Sequence, residues 1–366
     1  MVDLRIFPWI LLAIIVIAIF FIYNIPPKVE TSSPTLSDKS LDEKLSEFTK
    51  NIISGGPPPD GIPPIENPKF VSVKDADDFL NNNDIVFGIV YGNEIKAYPQ
   101  KILVWHEIVN DEFNGEKISV TYCPLTGSVI GFKGELKDGN VTTFGTSGNL
   151  VNSNLVMYDR NSKTWWPQVL SQAIAGQRKG EELESVSLVW ATWEKWKGRY
   201  PNSLVLSQET GFIRPYGNDP YGSYLSTGNY YDSGGPFFPV MRTNNTFSDK
   251  KVIIGVKVSN LTLAIGKDEV KLKNIANIDL GNEKLVAIYD KDLDDVRVFS
   301  RVVDNKTLDF KFENGRIFDS LTNSEWTALG NSVSGTLSGN QLTQIASMNV
   351  MWFGWYAFYP ETQVYV

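Results

Sequence analysis

Glu116-Lys117-Ile118-Ser119-Val120-Thr121-Tyr122-Cys123 returns later in the chain as Glu283-Lys284-Leu285-Val286-Ala287-Ile288-Tyr289-Asp290, with the same alternation of side-chain character. The match runs on without a gap to Phe132 and Phe299. Upstream, the same offset pairs Ile108-Val109-Asn110 with Ile275-Ala276-Asn277, and downstream Tyr158-Asp159 pairs with Phe318-Asp319. Period-two alternation is the mark of strands with two distinct faces. Both segments close on an aromatic run, Trp193, Trp196 and Tyr200-Pro201 in the first and Trp352, Trp355 and Tyr359-Pro360 in the second. Tryptophans three residues apart before a proline read as the buried face of a short helix, so these aromatics are architecture.

The rest of each segment shows short β-rich runs broken by turns such as Phe113-Asn114-Gly115 and Leu280-Gly281-Asn282. The expected fold is mainly β (β-rich α+β) with few short helices, one of them near Pro99. Two tandem related repeats are expected to pack with pseudo-twofold symmetry. Repeat one covers about 85–206 and repeat two about 252–366, joined by a connecting loop over 207–251, all within a globular domain at 69–366.

Ahead of that domain, Ile6 to Ile25 carries no charge and is rich in Ile, Leu, Phe and Ala, which is the length a bilayer core requires. Residues 1–27 therefore read as a transmembrane anchor. No small-x-small cleavage site follows it. Residues 28–68, with Thr31-Ser32-Ser33-Pro34 and Gly55-Gly56-Pro57-Pro58-Pro59, read as a Ser/Thr/Pro/Gly-rich stalk in which Leu41 to Ile53 could form an amphipathic helix. An anchor followed by such a stalk usually carries an exported domain, so the globular part is placed on the extracytoplasmic side. Arg5 and Lys28 flank the apolar run almost evenly and leave the orientation weakly determined. The sequons at Asn140, Asn244, Asn260 and Asn305 add little, because an Asn-rich chain yields them by chance.

A formal charge of -8 and the lack of any Lys/Arg-rich run exclude nucleic acid as a partner class. The chain has one cysteine and one histidine. No intramolecular disulfide and no site of two or three imidazoles can be built from them. Cys123 and His106 lie in the first repeat, where the second has Asp290 and Lys273, so the scaffold itself does not demand them. Strand alternation sets Cys123 in register with Ser119 and Thr121, and a carboxylate at the matching Asp290 argues against a dry setting for the thiol. A nearby imidazolium, or Arg160, would lower the thiol pKa. Ser147 lies in the Gly/Ser cluster Phe144-Gly145-Thr146-Ser147-Gly148, and Asp159 in Met157-Tyr158-Asp159-Arg160. Together with Arg214 and Tyr216 of the connecting loop, they are candidate ligand contacts. That loop is long enough to act as a lid, and Arg214 is its candidate anion contact. Met157 could complete a Cys123/His106/Met157 copper site. Asp290-Lys291-Asp292-Leu293-Asp294-Asp295 lacks the glycine of a calcium loop and reads as a solvated turn.

At these residues the chain resembles a bacterial and archaeal family catalogued as domain of unknown function 3179. The resemblance is carried by Asp60-Gly61-Ile62-Pro63, Ala97-Tyr98-Pro99, Trp105-His106-Glu107-Ile108-Val109-Asn110-Asp111, Thr121-Tyr122-Cys123-Pro124-Leu125-Thr126-Gly127-Ser128, Phe144 to Gly148, Met157 to Arg160 and Pro220-Tyr221. It implies that His106, Cys123 and Met157 to Arg160 are hallmark positions, and it brings no activity with it. Some relatives look like Cys-Pro-Leu-Cys where this chain has Thr126, so a dithiol role is absent here. Three functions remain open. One is thiol-dependent acyl transfer or hydrolysis by Cys123, His106 and Arg160. The second is copper binding by Cys123, His106 and Met157. The third is a non-catalytic cell-surface binding or assembly module, with a small-molecule, peptide or glycan ligand left open.

Overall fold

The computed structural model describes residues 39–366, and the expected membrane anchor at 1–27 lies outside them. Among the described residues no helix is long and apolar enough to cross a membrane. Strand accounts for 40 % and helix for 12 %, so the expected β-rich class with few short helices holds.

The order of elements and their pairing occurs twice. The hairpin Ile85–Tyr91 and Glu94–Pro99 is flanked by Val189–Thr192 on one side and by Leu204–Leu206, running parallel, on the other. The hairpin Val252–Val258 and Leu261–Gly266 is flanked in the same way by Ser347–Met351 and by the parallel strand Gln363–Tyr365. The meander Ile108–Phe113, Glu116–Cys123, Ser128–Lys133 has its counterpart in Ile275–Leu280, Glu283–Asp290, Asp295–Ser300. One eight-stranded sheet takes strands from both halves, because Ser128–Lys133 pairs with Ser347–Met351. The two halves are thus joined through this one shared sheet.

The short helices Trp193–Arg199 and Trp352–Phe358 bury their tryptophans completely, as the spacing predicts. The short helix after Pro99 is present at Gln100–Leu103.

The stalk expected over 28–68 is corrected from Ser40 onward, since Ser40–Val366 forms one unit. The helix Leu41–Lys50 starts on a Ser40/Glu43 capping box and buries Leu45 and Phe48 in the main core. Ile53–Ser54 adds a strand beside Phe144–Val151, and Ile65 bridges to Val109. The proline-rich stretch is thus a strap laid across the first half. Composition alone suggested otherwise because the few apolar side chains that dock it are widely spaced.

Candidate functional site

Cys123 ends its strand because Pro124 cannot donate to the ladder, and Gly127 turns the chain back with a φ of 52°. The thiol is fully buried, within the main hydrophobic core. Its sulfur accepts from Leu155 N at 3.4 Å. The polar face expected for this strand exists, but it points inward and is satisfied internally. Thr121 Oγ1 donates to Ile130 O, Gln168 Nε2 donates to Thr121 Oγ1, and Asn154 Nδ2 donates to Thr126 Oγ1. Burial, and then the charge of Glu107, push the thiol up to about 11, so at neutral pH it is protonated. Asp290 does not report on this setting. It is itself buried, and Arg297 Nε donates to it at 3.1 Å. Asp294 pairs with Lys271 and Asp295 with Lys267, so the acidic turn is held by ion pairs and partly buried rather than solvated.

His106 makes its hydrogen bonds elsewhere than to the cysteine. Pro63 O lies 2.6 Å from Nδ1, and a carbonyl only accepts, so Nδ1 carries the proton. Nε2 then accepts from the Tyr216 hydroxyl at 2.7 Å. Both ring nitrogens are occupied, and burial lowers the pKa, so the ring is neutral. A neutral imidazole carries no charge to lower a thiol pKa, and its Nε2 lone pair is taken by the Tyr216 hydroxyl in this arrangement. The expected Cys123/His106 dyad and Cys123/His106/Met157 metal set therefore find no hydrogen bond between thiol and imidazole among the described residues. Met157 is fully buried in the main core. Among the described residues no group of three His, Cys, Asp or Glu could hold a metal ion.

Arg160 is a clamp. It donates to Asp60 Oδ2 at 2.5 Å, to Glu66 Oε1 at 2.7 Å and to the Tyr158 hydroxyl, fastening the strap. Ser147 Oγ donates to Val156 O at 2.5 Å inside a bulge. The glycine beside it, Gly148, makes room for the strap, since a Cβ there would lie 1.9 Å from Pro57 O. Asp159 accepts from Ser162 N, Thr164 N and Trp166 Nε1, and Asp319 makes the same set with Thr322, Ser324 and Trp326. A role kept in both halves belongs to the turn. Arg214 is half-buried, its Nη1 donating to Ile213 O, and its charge reaches His106.

The residue missing from the sequence reading is Glu107. Its φ of 57° is left-handed, as is that of its counterpart Asn274 at 64°. Each carbonyl accepts from the facing strand, Tyr122 N and Tyr289 N respectively. The fold thus requires this conformation, which Asn tolerates and Glu does not favour. The glutamate is 5 % exposed, and among the described residues its carboxyl makes no hydrogen bond. Burial raises it to about 8. Its charge acts on Cys123 and on Tyr221. The offset pairing Glu107 with Asn274 was the available signal.

Over this pair lies the connecting loop. Tyr230 donates to Leu125 O at 2.5 Å, Tyr224 and Tyr231 stack at 3.8 Å, and the Tyr122 hydroxyl meets that of Tyr224 at 3.0 Å. Lys250 sits 3.3 Å over the Tyr230 ring and donates to Ser233 O, pinning the loop. The stretch expected to act as a lid is a tyrosine-rich cover.

The raised Glu107 has a consequence for stability. In the unfolded chain the carboxyl ionises near its ordinary value of 4.5, and in the folded chain near 8. Between these the folded state holds more protons, so its advantage is complete below 4.5 and is lost as pH rises through 8. At 1.36 kcal/mol per unit the loss is on the order of 5 kcal/mol. Urea denaturation from pH 5 to 9 is expected to show this decline, and Glu107→Gln is expected to flatten it. An equal slope in both proteins would remove the assignment.

Fold and site define a β-rich domain with a buried thiol and carboxyl beneath a tyrosine cover. The chain matches the family described as Protein of unknown function (DUF3179) over residues 59–362, and it belongs to that family. No curated protein and no solved structure matches it.

Proposed function

We propose that Cys123 and Glu107 form a gated thiol centre for acyl transfer or hydrolysis, opened by movement of the 207–251 cover. The reading rests on one observation. Glu107 places a buried, unpartnered carboxyl beside the thiol at a backbone position where the other half uses Asn274. With a carboxyl near 8, about a tenth of Glu107 is ionised at pH 7, and that fraction is the base. It would take the thiol proton as sulfur attacks the acyl carbon, then return it to the leaving group. His106, expected in that role, is an anchor for the cover instead.

The test is acylation of Cys123 by a thioester probe, followed by intact mass in the full chain. Cys123→Ser should form no adduct, and Glu107→Gln should react about a hundredfold more slowly. Equal rates with glutamate and glutamine would reject the reading. A second reading, a non-catalytic surface module, is favoured by the complete burial of the thiol, and absence of adduct in every form would support it.

We further propose that Ile6 to Ile25 anchors the chain in a membrane with the domain on the extracytoplasmic side. Protease added to intact cells should then remove the domain. We also infer that the two halves descend from one duplicated unit packed about a pseudo-twofold axis, a reading supported by their common order of strand pairing.

A further inference from the structure

Two hollows occupy corresponding places in the two halves. One, of about 190 Å³, is lined by Ile130, Gly255, Met348 and Tyr359 among others. The other, of about 420 Å³, has Arg297, Gly88, Val189 and Tyr200 at the matching positions. The smaller is closed on itself, with Lys257 Nζ donating to Glu182 at 2.7 Å and the Tyr359 hydroxyl donating to Leu170 O at 2.9 Å.

The larger is built differently. Among the described residues, the Tyr200 hydroxyl and the side-chain amides of Asn331 and Gln344 make no hydrogen bond. Arg297 Nη2 is buried without a partner, while its Nε is held by Asp290. A gap that the fold leaves in both halves is thus apolar at Ile130 in one and carries unspent donors in the other. Its charges cancel, because Asp295 is answered by Lys267 at 2.9 Å and Arg297 by Asp290. Amides and hydroxyls of both polarities, an aromatic ring at the wall and no net charge suit a neutral ligand rich in hydroxyls. The volume lies within the usual range of small-ligand sites.

We propose that the cleft between Tyr200, Arg297, Asn331 and Gln344 binds a short neutral saccharide, independently of Cys123 and Glu107. The test is saturation-transfer NMR of the full chain with cellobiose, maltose, lactose and N,N′-diacetylchitobiose, beside glucuronate and inorganic phosphate. At least one neutral disaccharide should bind. Asn331→Ala and Gln344→Ala, both at exposed residues, should each weaken it roughly fivefold. Val90→Trp, at a 45 % exposed residue on the cleft wall, should abolish it. Cys123→Ser should leave it unchanged. The proposal is overturned if no neutral disaccharide binds, if only the charged probes bind, or if binding survives in all three cleft variants.

Discussion

Gly88→Ala is expected to remove about 3 kcal/mol or more of stability, a large share of the margin by which a folded domain is held. Gly88 lies on the hairpin strand Ile85–Tyr91, and a Cβ there would lie 1.8 Å from Trp196 Cζ3. Trp196 is fully buried, and its Nε1 donates to Ser203 Oγ at 2.9 Å, so the ring has nowhere to retreat. Gly255 is in the same relation to Trp355, at 2.4 Å from Cε3. Gly255→Ala should therefore also destabilise, but less. Denaturation midpoints of the two variants check the order. Gly88→Ala combined with Trp196→Leu should recover part of the loss. If Gly88→Ala matched wild type, the indole–glycine contact would not be the joint between helix and sheet.

That joint shows why much of the fold was legible before any coordinates. Trp196 and Trp355 stand at equal places in two matching aromatic runs, and each requires a glycine on the strand beneath. Repetition makes such pairs visible, and Asp159 with Asp319 is another. The strap was not legible, because Leu45, Phe48 and Ile65 dock it through contacts distant in sequence. The site was half legible. The inventory of one thiol and one imidazole located Cys123, but it joined the two by rarity rather than by geometry. What distinguishes Glu107 is a backbone angle shared with Asn274, and side-chain chemistry in the sequence says nothing of backbone angles.

The other large effect concerns a buried ion pair present in only one half. Lys96 and Asp111 are 6 % and 7 % exposed, with Nζ 3.1 Å from Asp111 Oδ2 and 2.7 Å from Glu112 O. The Tyr98 hydroxyl donates to the same carboxylate at 2.5 Å, and the ammonium lies 4.1 Å from the centroid of the Phe113 ring. The corresponding residues of the second half, Leu263, Ile265 and Ile278, belong to an apolar cluster. The same scaffold position is thus filled once by charge and once by hydrocarbon. Lys96→Leu strands the buried Asp111 carboxylate and should cost about 3 to 5 kcal/mol, whereas Asp111→Ile leaves the ammonium with Glu94 at 3.3 Å and should cost less. Replacing the group together, as Lys96→Leu, Tyr98→Phe and Asp111→Ile, removes both buried charges and leaves only the half-buried Glu94 carboxylate, which reaches solvent. It should return stability to within about 1 kcal/mol of wild type, because desolvation of the pair is removed with its attraction. Chemical denaturation of the two singles and the triple decides the matter. A triple variant as unstable as the worse single would mean that this cluster holds the sheets together by something other than the balance of charge and burial.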